Sequence, residues 1–212
     1  MRRWKYATPI AMLTIALTAG CSVLSPRPDP TKYFVLTAID SSAMTQPAPS
    51  AVSNLKIGLG PVKLPDYLHH TEVVTRVAPN RLDLSLDDQW AEPLDDNFRR
   101  VLAHNLAILI GTSQIEPFPW YAESPFDYKI EVTVERFERD ASGGTQLAAS
   151  WIIRDGHNDK VLMTREANFA EVASGGIEAS AGALSADLGD LSKQIADAVI
   201  ELNQRRRSRS PT

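Results

Sequence analysis

Cysteine is nearly missing from this chain: there is one in 212 residues, Cys21. A single thiol excludes an intramolecular disulfide and any cysteine-based zinc site. Histidine is scarce as well, with four copies at 69, 70, 104 and 157, and only the neighbours His69 and His70 sit close in sequence. A metal site needs further ligands at defined spacing, so that pair reads as loop histidines and no metal is expected. Basic residues are outnumbered, 22 against 26 acidic, for a formal net charge of -4. That balance excludes nucleic acid as a main partner, because phosphate binding needs a basic surface. The catalytic patterns are missing too: no Gly-x-Ser-x-Gly elbow, no Walker loop and no His-Glu-x-x-His. Gly58 and Gly60 superficially suggest a dinucleotide loop, but no third glycine or helix follows them. The reading is a protein without catalytic residues and without a cofactor.

Long apolar runs are absent apart from one. Residues 7–19 are uncharged and mostly apolar, preceded by Arg2, Arg3 and Lys5 and followed by Gly20 and Cys21. Thirteen residues fall short of the roughly 20 that span a bilayer, so this is a secretory signal over residues 1–20. The lone cysteine at its end resembles a bacterial lipobox, with cleavage after Gly20 and Cys21 carrying the S-diacylglycerol and N-acyl groups. The usual pattern has leucine three residues before the cysteine; here Thr18 holds that place and Leu17 precedes it. Ser22, in place of aspartate, favours the outer membrane by the bacterial sorting rule. Removal of residues 1–20 leaves 19 basic against 26 acidic side chains, a net of -7. Residues 21–31 are Pro-rich and form a membrane tether, restricted by proline to extended conformations.

The remainder, residues 32–203, reads as one globular domain, and the chain's 43% hydrophobic content is enough for a packed core. Residues 33–37 form a short strand expected to be buried on both faces. Residues 38–53 are polar and aperiodic, a loop. Leu55, Ile57 and Leu59 alternate with Lys56, Gly58 and Gly60 in a strand ending at Pro61. Residues 73–78 and 81–86 alternate with period 2 around the turn Pro79-Asn80, so they pair as a hairpin. Pro93 then opens a helix with Asp95 and Asp96 at its positive end and Gly111 as its stop. Leu94, Phe98, Val101, Leu102, Leu106, Ile108 and Leu109 make its apolar face; Asp96, Asn97, Arg100 and His104 make the polar one. Asn105, in the apolar face, reads as a hydrogen-bonded core amide.

A short strand over 113–118 leads into an aromatic, Pro-bounded stretch containing Phe118, Trp120 and Tyr121. This stretch either plugs a sheet edge or offers an exposed contact loop. Tyr128, Ile130, Val132 and Val134 alternate until Phe137 breaks phase, which places a β-bulge near Glu135 and Arg136. With residues 147–153 and 161–172 they form an antiparallel meander. Ala181, Leu184, Leu188, Leu191, Ile195, Val199 and Leu202 define a last amphipathic helix of about seven turns, packed on the meander or forming a coiled-coil seam with a partner. Residues 204–212, with Arg205, Arg206, Arg207 and Arg209, read as a basic disordered tail. The fold class is therefore α/β of the α+β type: a single domain with a mixed, mostly antiparallel sheet and two long helices on one face.

In order along the chain, the lipoprotein cysteine, Tyr33–Leu36, Leu64–Leu68 with Val74–Arg76, Trp90–Leu94, Val134–Phe137, Trp151, Ala183–Ser185, Leu191-Ser192 and Ile195-Ala196 resemble the PqiC (YmbA-like) family of ABC-type transport auxiliary lipoproteins. The resemblance spans nearly all of the mature chain. It implies a periplasmic domain on the outer membrane, an MCE-domain (PqiB-like) partner in intermembrane lipid transport, and ring-shaped homo-oligomers in some members. The expected contact residues are Tyr67, His69 and His70 in one Pro-bounded loop and Phe118, Trp120 and Tyr121 in another. Two alternatives stay open: a structural or regulatory lipoprotein binding a cell-wall synthase or secretion complex, and a lipid carrier with its own pocket.

Overall fold

The computed structural model describes residues 29–41, 54–120, 125–173 and 175–209; Gly20, Cys21 and Tyr121 lie outside them. From Thr31 onward the described residues form one unit, organised on its longest strand. In chain order the elements are β1 Lys32–Phe34, β2 Ile57–Lys63, β3 Glu72–Ala78, β4 Arg81–Trp90, α1 Leu94–Ile110, β5 Ile115–Pro117, β6 Tyr128–Asp140, β7 Thr145–Asp155, β8 Val161–Phe169 and α2 Ile177–Arg209. A short 3-10 turn covers Asp66–Leu68. Among the described residues there is one sheet, of eight strands.

Along one edge β6 pairs antiparallel with β7 over its whole length, and β8 completes the meander. The other edge of β6 is shared: β2 runs parallel to its first half, Ile57 beside Tyr128, and β3 runs parallel to its end, Thr75 beside Arg139. β5 extends the sheet beyond β2, while β4 and β1 extend it beyond β3. The register slips between Val134 and Arg136, the bulge that the apolar phase shift predicts. The slip lets Val134 and Phe137, three residues apart, point to the same side. The sheet is mixed, with antiparallel pairing along its longest ladders, and both helices pack on one of its faces.

That face carries the core. Ile130, Val132, Val134 and Phe137 of β6 lie beside Leu147, Ala149, Trp151 and Ile153 of β7, all buried. Phe98 of α1 meets Phe137 edge to face at 5.1 Å, and Trp151 donates through Nε1 to Gln194 of α2 at 2.9 Å. α1 starts directly after Pro93 and stops at Gly111, whose φ of 75° is the left-handed geometry that glycine adopts freely.

Polar side chains of the helices do a further task. Residues 36–39 cross the helices beyond the end of β1 with no strand partner, so their N–H groups need other acceptors. Asn97 Oδ1 accepts from Leu36 at 2.6 Å, Ser185 Oγ from Thr37 at 3.1 Å and Asn105 Oδ1 from Ile39 at 3.0 Å. Asn105 Nδ2 donates to Ser192 Oγ at 3.1 Å, and Ser192 donates on to Leu188 O. Asn105 is thus the satisfied core amide that its position suggests. Asn97 is a correction: assigned by helical angle to the polar face, it is buried because this crossing segment covers that side of α1.

Three other expectations change. β1 pairs only with β4, so it is an edge strand, and Tyr33 and Val35 are exposed instead of buried on both faces. β2 continues past Pro61 to Lys63, because the residue that cannot donate sits where the β6 register shifts. The final helix runs 33 residues to Arg209, so positions 204–209 are helical and not a disordered tail. Arg206 reaches across to Asp127 at 2.8 Å and lies 5.3 Å from the Tyr128 ring centre, contacts that hold the basic end down.

Replacing Asn105 by alanine leaves the Ile39 N–H and one side of Ser192 without partners, and the expected cost is about 1–3 kcal/mol in urea unfolding at neutral pH. Asp187, buried on α2 and accepting from Thr145 Oγ1 at 2.7 Å, supplies a pH test. Burial, with smaller contributions from Glu171 and Asp190 and against the Thr145 bond, pushes its carboxyl up to about 6. A carboxyl raised above its unfolded value stabilises the fold fully below about pH 4, and that contribution disappears as pH climbs through about 6. Asp187→Asn is therefore expected to be more stable than wild type at pH 7, with the two converging at pH 4.

Candidate functional site

The face of the sheet opposite the helices is not left bare. Residues 64–71, which join β2 to β3, lie over this outer face, because Tyr67 reaches Glu138, whose side chain points away from the helices that Phe137 meets. That link carries Tyr67, His69 and His70. Leu68 is buried beneath it and Tyr67 is half-buried, whereas His69 and His70 are exposed. His69 approaches Asp66 at 3.8 Å.

Tyr67 lands on an ionic cluster that alternation alone disguises. Glu138 of β6 is buried on the outer face. Its Oε2 accepts from Tyr67 Oη at 2.6 Å and from the Phe137 N–H at 3.1 Å, and its Oε1 accepts from Arg76 Nε at 2.6 Å and Arg136 Nε at 2.9 Å. Arg76 also donates to Pro79 O at 3.0 Å and lies 5.8 Å from the Tyr67 ring centre. Burial alone would raise the Glu138 carboxyl, but the bonds from Tyr67, Arg76 and Arg136 outweigh it and hold it below its ordinary value. Burial and the Glu138 bond push the Tyr67 hydroxyl up to about 12. At neutral pH the carboxylate stays charged and the phenol stays protonated. The cluster clamps the 64–71 link onto the sheet; neither group is poised to exchange a proton. An open groove of about 680 Å³ lies beside it, lined by Arg76, Pro79, Arg136 and Ala141 among others.

The second aromatic loop covers the other half of the outer face. Trp120 lies over Gly58, where an added Cβ would come within 3.0 Å of the indole, and Phe118 lies over Gly60, where the distance would be 2.6 Å. These approaches, and a φ of 124° at Gly60, account for the two glycines of β2. Trp120 Nε1 donates to Glu116 O at 2.8 Å, and its ring meets Phe118 at 5.3 Å and Phe126 at 5.2 Å. The stretch matches neither alternative fully: Trp120 covers the sheet face over Gly58 and does not plug an edge, while Phe118 stays 43% exposed.

Both expected contact loops therefore sit on the same outer face, over opposite ends of β6. The sequence reading missed Arg76, Arg136 and Glu138. A usable signal existed in the bulge, which sets Arg136 and Glu138 on one side of β6, but nothing local says that a loop covers them. Among the described residues no group of three or more histidine, cysteine, aspartate or glutamate side chains is arranged to hold a metal, and no helix is long and apolar enough to cross a membrane.

An α+β domain with helices on one sheet face and two clamped loops on the other is the class of protein this geometry defines. The family model for ABC-type transport auxiliary lipoprotein components matches residues 34–196, and the chain belongs to that family. A solved Xanthomonas campestris protein shares the fold, with a TM-score of 0.68 and 15% identity over 85% of this chain and all of that one. An uncharacterised solved protein gives 0.65 and 19% over 80% of this chain and 98% of that one. More distantly, the PelC dodecamer from Paraburkholderia phytofirmans gives 0.41 and 12% over 72% and 92%. The search of curated proteins returned no match.

Tyr67→Phe deletes one bond to a charged acceptor and should cost about 1.5–3 kcal/mol. Glu138→Gln strands two arginines; because both are partly in water, the expected loss is about 3 kcal/mol, the lower end for a broken buried pair. Urea unfolding of both variants checks the order; a larger loss for Tyr67→Phe contradicts the cluster as described.

Proposed function

We propose that this protein is a periplasmic lipoprotein, held to the outer membrane through acylated Cys21, that docks the end of an MCE-domain tunnel and performs no catalytic step itself. The observation supporting this reading is the family match over residues 34–196, to a component described as auxiliary to ABC-type transport. On this reading the protein acts by holding another component in place, and the outer face has the matching physical character. Its loops are clamped by Glu138 and seated on glycines, so Phe118, His69 and His70 are presented at little further ordering cost. Acyl chains on Cys21 supply the anchor, each buried methylene contributing about 0.8 kcal/mol. The ring assembly implied by the resemblance would place several copies of the face around one tunnel end.

The test is a crosslinking pull-down from envelopes of the native host, comparing wild type with Cys21→Ala. Recovery of an MCE protein with wild type, lost or relocated in the variant, is the expected result, with a ladder of self-crosslinked bands if the chain forms rings. Recovery of a cell-wall synthase or a secretion component instead overturns the lipid-transport reading and leaves a structural lipoprotein.

A further inference from the structure

The corner formed by β1 and β4 holds apolar side chains out to water. Tyr33 is 63% exposed, Val35 45%, Leu84 44% and Leu86 88%. Pairing places Tyr33 and Leu84 on one side of the sheet. Leu84 is opposite Val74 and Gln89 is opposite Glu72, two residues along β3, while Tyr33 lies beside Gln89 across the parallel β1–β4 pair. Val35 follows Tyr33 by one alternation. With strands about 4.8 Å apart and side chains repeating roughly every 7 Å, Tyr33 and Leu84 are neighbours on that face.

Leu86 is exposed by construction. Between the pairs Glu72–Gln89 and Val74–Leu84, β4 spends three more residues than β3. The excess is folded into a bulge that Ser85 closes, donating through Oγ to Asp88 Oδ2 at 2.8 Å and accepting from the Asp88 N–H at 3.1 Å. Leu86 stands on this closed bulge, and with Leu84, Tyr33 and Val35 it makes a group of exposed apolar side chains at one corner, not a single scattered one.

The chain itself says what is nearby. Lys32, the first residue of β1, pairs with Asp88, so the segment that precedes Thr31 leaves the fold beside the bulge that carries Leu86. Only ten residues, 22–31, separate that exit from Cys21, a reach of at most roughly 33 Å. We propose that Leu86, Leu84, Tyr33 and Val35 form a membrane-contact corner that enters the zwitterionic phospholipid surface to which the tether leads. This inference rests on the lipid-anchor reading given above. Exposed Asp83 and Asp87 flank the corner against Lys32 and Arg81, so anionic headgroups offer no added attraction and the contact is apolar. The contact fixes the orientation of the domain on the bilayer, which a Pro-rich tether alone leaves open.

The test uses the full-length protein as a bacterial host processes it, purified and reconstituted into phosphatidylcholine–phosphatidylethanolamine vesicles. Leu86→Cys supplies the one free thiol for an environment-sensitive fluorophore, and Glu166→Cys on the exposed surface of β8 serves as the control. The expected result is quenching at position 86 by lipids carrying a shallow doxyl group, iodide quenching roughly threefold weaker than at 166, and no loss of the doxyl quenching when salt is raised to about 1 M, where the Debye length shrinks to about 3 Å. Equal iodide access at both positions without doxyl quenching overturns the corner. Protection from both quenchers also overturns it, showing protein, a second copy or a partner, in place of lipid. Mass spectrometry of the same sample separates the two readings: unmodified Cys21 and no flotation remove the anchor and the corner together, whereas acylated Cys21 with a freely quenched label removes the corner alone.

Discussion

The shared edge of β6 is the constraint on which the rest of this structure depends. β2 and β3 run in the same direction along one side of a single strand, end to end. Between Lys63, beside Thr133, and Thr75, beside Arg139, the chain advances twelve residues while β6 advances six, so the excess has to leave the sheet. The connection is the 64–71 link, and the pairing leaves it the outer face, since the helices and the crossing segment 36–39 fill the other. Burial of Glu138 follows from that placement. A carboxylate under a loop requires compensation, and Arg76, Arg136 and Tyr67 supply it from three different elements.

The two faces of the sheet use different physics. Under the helices the core is aliphatic and aromatic, with Trp151, Phe98 and Phe137 fully enclosed and a few amides and hydroxyls binding the crossing segment. On the outer face the stabilising contacts are an ionic clamp at one end of β6 and an aromatic plug seated on glycines at the other. The clamp and the plug order both loops within the domain itself.

Much of this was legible in the sequence, for a reason that also marks its limit. Hydrophobic periodicity reports which side chains share a face, so the hairpin of β3 and β4, the meander, both helices and the bulge near Arg136 could be read directly. Periodicity does not report which strands lie side by side. The parallel pairing of β6 with β2 and β3, and of β1 with β4, comes from tertiary packing, and what depends on it was hidden. Glu138 and Arg76 alternate with apolar residues and look like solvated positions until the 64–71 link is placed above them. Asn97 misleads in the same way, because the covering strand remnant is sixty residues away. The arginines at the end of α2 read as a tail because no local apolar residue predicts that Asp127 waits for Arg206.

The central claim is that the outer face, not the helical one, meets the transport partner. The most direct measurement is photocrosslinking in living cells from an unnatural side chain placed in turn at His70, at Phe118 and at Lys193 on the exposed side of α2. The account predicts adducts with one MCE-domain protein from His70 and Phe118 and none from Lys193. Adducts from Lys193 with both outer-face positions silent would contradict it.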